Sequence, residues 1–167
     1  ILISEIEDSF SVEKVTDKFF EDYTGLYRLL YKELKRIEQK DSSVKKELEE
    51  KNISLEDFSK KILSQMVFLY FLQKKGWLGI EKDKNGKFDK YGSGDKTFLY
   101  HLFKKCEAKN KNYFNDYLEH LFYSALAQDR RVNDDLFHLQ GTDYKIPFLN
   151  GGLFEPLGIN KGYNWRE

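Results

Sequence analysis

The chain has 167 residues, 40% of them apolar and 16% aromatic; at ~150 residues per domain this is about one domain with ample material for a packed core, which excludes a disordered tail. Its 28 basic and 28 acidic side chains cancel, which excludes the broad positive field of a dedicated nucleic-acid binder and leaves room only for a local basic surface. Five of the cations are arginine and 23 are lysine, so bidentate reading of guanine is not advertised.

The first predicted element runs from Ser11, a candidate N-cap, to about Gln39. Val12, Val15, Phe19, Tyr23, Leu26, Leu30, Leu34 and Ile37 recur there in steps of three and four, the spacing of one helical stripe. Residues 40–53 are charged with few apolar anchors and read as a solvated short helix or loop. Ser54-Leu55-Glu56-Asp57 resembles a capping box, and a helix is expected from there to Lys75, closed by Gly76. Within it Met66-Val67-Phe68-Leu69-Tyr70-Phe71-Leu72 is apolar on every face, which predicts a central buried helix. Glu81 to Lys96, with Asn85-Gly86 and Gly92-Ser93-Gly94, reads as a loop or short hairpin. Two more helices are predicted, near Thr97 to Ala108 and near Asn112 to Gln128, with Asn112 as N-cap of the second. From Asp129 onward periodicity is lost and turn residues return. The expected fold is mainly α: an irregular helical bundle around a central helix at about 55–75, with an irregular C-terminal tail.

The single cysteine, Cys106, excludes an internal disulfide and a multi-thiolate zinc site, and it fits a reducing, cytoplasmic setting. No apolar run reaches the ~18–20 residues of a membrane span, and Ile1-Leu2-Ile3-Ser4 is too short for a signal-peptide core. No membrane partner is expected. The apolar start without methionine and the end on Trp165-Arg166-Glu167 read as a piece of a longer chain.

Candidate chemistry is sparse. Glu33-Leu34-Lys35, Glu38-Gln39-Lys40 and Glu49-Glu50-Lys51 each match the E-x-K fragment of a metal-dependent nuclease. All lie on or beside predicted helices, however, where a nuclease needs a strand, and they read as solvated faces. Tyr91-Gly92-Ser93-Gly94-Asp95 lacks the preceding apolar strand of a cofactor loop, and Asp95 stands where a Walker A loop needs glycine, so a flexible loop is expected. His101 with Cys106, Glu119 with His120, and His138 have no partner set at recognisable spacing. No catalytic residue, metal or cofactor is assigned.

The zero total hides an uneven distribution: residues 1–60 carry net −4, residues 61–125 net +5 and residues 126–167 net −1. In the basic middle, Lys74, Lys75, Lys82, Lys84, Lys87, Lys90 and Lys96 interleave with Trp77, Phe88 and Tyr91, a combination able to track phosphates and stack on bases. An ordinary lysine-rich surface explains the same pattern.

Phe58-Ser59-Lys60-Lys61-Ile62-Leu63 followed by the segment from Met66 to Gly79 resembles the helical region of large single-chain (type IIG, Eco57I-like) bacterial restriction-modification proteins. Two flanking segments agree in order: Phe10-Ser11-Val12-Glu13-Lys14-Val15-Thr16 with Phe19-Phe20, and Pro147-Phe148-Leu149-Asn150-Gly151-Gly152-Leu153-Phe154-Glu155. In such proteins a segment of this kind joins an N-terminal nuclease domain to an adenine-specific DNA methyltransferase that uses S-adenosylmethionine. The resemblance implies that residues 1–10 end a preceding domain or linker, 11–128 form the helical bundle, and 129–167 lead toward the methyltransferase. The family's Asn/Asp-Pro-Pro-Tyr/Phe signature needs adjacent prolines, and Pro147 and Pro156 are the only two here. The expected role is thus a non-catalytic connector, with DNA, nuclease and methyltransferase domains as partners and with S-adenosylmethionine and Mg²⁺ implied only for the parent protein. The alternative is a stand-alone helical protein-interaction module.

Overall fold

A computed structural model describes residues 12–149 and 152–154. The candidate N-cap Ser11, the opening stub, Asn150-Gly151, Pro156 and the Trp165-Arg166-Glu167 end lie outside the described residues. The chain is mainly helical with a small three-stranded sheet, and it divides into two compact units at Leu63 and Ser64.

In the first unit, α1 (Val12–Lys40) carries the stripe of threes and fours. Tyr23, Leu30 and Leu34 are half-buried, whereas Val15, Phe19, Leu26, Leu29 and Ile37 remain exposed. The apolar arc is therefore wider than the surface that covers it. Asp41 separates α1 from α2 (Ser42–Glu50): its carboxylate accepts the Ser43 amide at 2.9 Å, capping the new helix. No residue of α2 is buried, which matches the short solvated helix expected of its composition.

α3 spans Leu55–Lys74. Ser54 Oγ accepts the Asp57 amide at 3.0 Å, and Glu56 and Asp57 lie in the first turn, where the helix dipole favours anions. At the other end Gly76 sits at φ +70°. Its N–H donates to the Gln73 carbonyl at 2.9 Å and that of Trp77 to Leu72 at 3.0 Å, the paired bonds of a Schellman stop. Burial of the apolar run is one-sided: Leu69 and Leu72 are enclosed, but Tyr70 and Phe71 are 50% and 52% exposed. A run apolar on every face tells nothing about how many faces have neighbours.

In the second unit α3 packs against α4 (Phe98–Ala108) and a wider helical stretch. Asn112 caps that stretch, its Oδ1 accepting the Asn115 amide at 2.9 Å. Phe114–Leu118 and His120–Leu126 have π-helical turns. The buried pairs Tyr117/Leu118, Leu121/Phe122 and Ala125/Leu126 recur every four residues. Turns of 3.6 residues would rotate such pairs off one face, and wider turns keep them inward.

The tail beyond Asp129 contains structure that the sequence reading does not supply. β2 (Leu136–Leu139) and β3 (Thr142–Lys145) form an antiparallel hairpin, and β1 (Ile80–Glu81) pairs with β3 to give the order β1-β3-β2. The turn between Leu139 and Thr142 is Gln140-Gly141, both at positive φ, as a tight hairpin turn requires. Arg130 closes this region. Its guanidinium donates to the carbonyls of Asp135 and Leu136 at 3.0 Å each, to Ile146 at 3.2 Å, and to Ala125, tying the end of the π-helical stretch to the start of β2 and to the residue that follows β3.

Candidate functional site

The seven candidate lysines are all exposed, and the structure gathers some of them. Lys74 and Lys75 occupy the C-terminal end of α3, where a helix dipole favours cations. Lys96 joins them, its Nζ donating to the Lys74 carbonyl at 3.0 Å. The glycine loop brings it there: the amides of Gly92 and Gly94 donate to the Gly76 carbonyl at 2.9 and 3.0 Å. A Cβ on Gly94 would collide with the Leu78 carbonyl oxygen. The G-x-G pattern, expected to be a flexible loop, is thus a backbone clamp on the helix end, and only glycine permits so close an approach.

Lys84 and Lys87 flank a turn organised by Asp83, whose carboxylate accepts the amides of Asn85 and Lys87 at 2.8 and 2.9 Å. The Lys87 and Asn85 bonds hold the Asp83 carboxyl below its usual range. Lys90 follows on the next turn, where its carbonyl accepts the Ser93 hydroxyl at 2.8 Å. Lys82 is committed elsewhere: it pairs with Asp143 at 2.6 Å and lies 5.3 Å from the Phe88 ring centroid.

The aromatics interleaved with these lysines are internal fittings. Trp77 is half-buried, packs on the core and meets the Tyr91 ring at 5.9 Å. The Tyr91 hydroxyl donates to Asp135 Oδ2 at 2.5 Å, and burial with that bond pushes its pKa up. Lys145 lies over the same ring at 5.1 Å. Stacking on bases by Trp77 and Tyr91 is therefore not supported by their packing.

A second concentration of polar groups lies between α4 and the sheet. A cleft of about 460 Å³ is lined by Gly79, Glu81, Asp95, Phe98, His101, Leu102, Lys104, Lys105, Ala108 and Tyr144. His101 Nδ1 is 2.5 Å from Asp95 Oδ2. Burial raises the Asp95 carboxyl, but hydrogen bonds from Thr97 and His101 outweigh it and hold the group low. Lys105 Nζ donates to the Tyr144 hydroxyl at 3.1 Å, which raises the Lys105 pKa. Both pairs were missed in sequence because His101–Asp95 is a loop-to-helix contact and Lys105–Tyr144 spans 39 residues.

Several of the remaining candidates have structural partners. Buried Cys106 Sγ donates to the Lys111 carbonyl at 3.0 Å. His138 Nδ1 is 2.9 Å from Asp143, a cross-strand pair in the β2–β3 register. Among the E-x-K triplets, Glu33 pairs with Arg36 at 2.9 Å, and Glu49 and Glu50 pair with Lys45 and Lys46 on the exposed surface of α2. Among the described residues no group of three or more His, Cys, Asp or Glu is placed to hold a metal ion, and no helix is long and apolar enough to cross a membrane.

Comparison with known proteins adds no relative: no family model matches the chain, and neither curated proteins nor solved structures give a match.

Proposed function

We propose that this chain is a non-catalytic helical connector of a bacterial restriction-modification enzyme, holding an endonuclease domain relative to a DNA adenine methyltransferase and contacting DNA backbone through its lysines. One observation carries the reading. Two of the segments that bear the resemblance, 58–79 and 147–155, are far apart in sequence, and their described residues in the second unit, among them Leu69, Leu72, Leu149 and Phe154, share a core. Gln65 Nε2 donates to the Leu153 carbonyl at 3.0 Å, and Phe68 and Phe154 meet at 5.8 Å between ring centroids. Contact between the two segments supports reading them as parts of one device. S-adenosylmethionine and Mg²⁺ would belong to the neighbouring domains, and the compartment would be the cytoplasm.

A second reading, a stand-alone helical interaction module, draws on the exposed apolar arc of α1 at Val15, Phe19, Leu26 and Leu29. The coding frame separates the two. The connector reading expects the frame to encode, beyond Glu167, a glycine loop and an Asn/Asp-Pro-Pro-Tyr/Phe motif; a frame lacking both would remove it.

A further inference from the structure

We propose that the cleft between α4 and the sheet binds a free α-amino acid with an apolar side chain, Lys105 and Tyr144 taking its carboxylate and Glu81 its ammonium group. The inference goes beyond the connector reading and does not depend on it. The cleft lies wholly within the second unit, and its volume of about 460 Å³ is in the range of small-molecule sites. On α4, Phe98, Leu102 and Lys105 stand four and three residues apart, with His101 and Ala108 beside them, so one face of that helix forms a wall. Glu81 and Tyr144 contribute from the sheet. They are cross-strand partners in β1 and β3, which puts their side chains on the same sheet face. The Tyr144 ring meets Phe98 edge-on at 5.2 Å and joins the two sides.

Most of the charge around the cleft is already answered. Asp95 accepts the Thr97 amide and hydroxyl and holds His101, and Lys104 pairs with Glu107 at 2.8 Å. Glu81 and Lys105 differ. Among the described residues Glu81 makes no side-chain hydrogen bond or ion pair. Lys105 Nζ is bonded to a neutral group, the Tyr144 hydroxyl at 3.1 Å, and lies 5.8 Å from the centroid of the same ring. An ammonium has three N–H bonds, and a hydroxyl that accepts one of them keeps its own proton to donate. The pair can therefore present two donors to one oxyanion. The Tyr144 bond raises the Lys105 pKa, and Glu81 is close enough to add to that rise, so unlike charges stand near each other beside an apolar space.

That arrangement selects the occupant. An α-amino acid carries its ammonium and carboxylate on one carbon, so it needs opposite charges close together and room for its side chain, here against Phe98, Leu102 and Ala108. A nucleotide or another polyanion would be repelled by Glu81, and a polyamine by Lys105. A simple carboxylic acid would cover Glu81 without giving it a partner.

The test is isothermal titration calorimetry of the chain with phenylalanine, 3-phenylpropionate and phenethylamine, which share an apolar body and differ in charge. Wild type is expected to bind phenylalanine roughly tenfold or more tighter than either singly charged probe, the scale of one charge-assisted hydrogen bond. Glu81→Gln should weaken phenylalanine roughly tenfold and leave 3-phenylpropionate no weaker. Lys105→Met should weaken both carboxylates to the same extent and leave phenethylamine no weaker. Ala108→Phe fills the cleft and should abolish binding of all three. Glu81 and Lys105 are exposed, so their variants are expected to fold, which thermal melts check; if Ala108→Phe does not, the two charge variants decide. Failure of folded wild type to bind phenylalanine overturns the proposal. So does binding indifferent to the two charge variants, or 3-phenylpropionate held as tightly as phenylalanine.

Discussion

Gln65, 2% exposed on α3, donates its side-chain amide to the backbone carbonyl of Leu153, 88 residues further along the chain. A buried glutamine is tolerated only where its polar atoms are matched, and here the match also fixes where the 152–154 turn sits in the second unit. Gln65→Leu keeps the volume but strands the carbonyl. The expected cost is about 1–3 kcal/mol, read as a lower urea midpoint with an unchanged slope.

Burial of α3 on one side separates two neighbouring large-to-small changes. Leu69 is fully enclosed, whereas Phe71 is 52% exposed. Leu69→Ala is expected to cost about 2–5 kcal/mol, and Phe71→Ala under about 1 kcal/mol. Equal losses in thermal denaturation would mean that the wrong face has been placed inside.

The glycine clamp is expected to be far less tolerant than the loop tip. Gly94→Ala drives a methyl group into the Leu78 carbonyl, while Gly86→Ala meets open space and pays only for its φ of +76°. About 1 kcal/mol is expected at Gly86 and about 3 kcal/mol or more at Gly94, where packed backbone must move. Melting temperatures of the two variants provide the comparison.

Alkaline pH should loosen the second unit through its tyrosines. Tyr113 is pushed from 10.0 up to about 12, first by burial and then by Tyr70 and Cys106, and Tyr91 is raised by burial and by Asp135. A raised folded-state pKa means that the native state keeps protons the unfolded chain gives up. The stability is therefore complete below about pH 10 and drains away as pH rises toward the folded value. Tyr91→Phe should weaken this loss, which chemical denaturation across pH 9 to 12 would show.

What could be read from sequence was local. Ser54 and Gly76 mark both ends of α3 because a hydroxyl cap and a left-handed stop are decided within a few residues. Asn112 is legible for the same reason. The hairpin was not, because Gln140-Gly141 replaces the Asn-Gly or Asp-Gly that announces such a turn, and its strands are only four residues each. Arg130 looks like any charged residue before a turn until four carbonyls from three segments converge on it. Of the candidate site, the residue types were visible and their employment was not: Lys82 is paired across 61 residues, and Tyr70, read as part of a helix buried on every face, is half exposed.

The connector reading is tested most directly by methyl transfer with the protein encoded by the complete gene. Incubated with duplex DNA and S-adenosylmethionine labelled at its methyl group, that protein is expected to place label on adenine. A well-folded full-length protein that transfers no methyl group to adenine in any DNA offered would contradict the account.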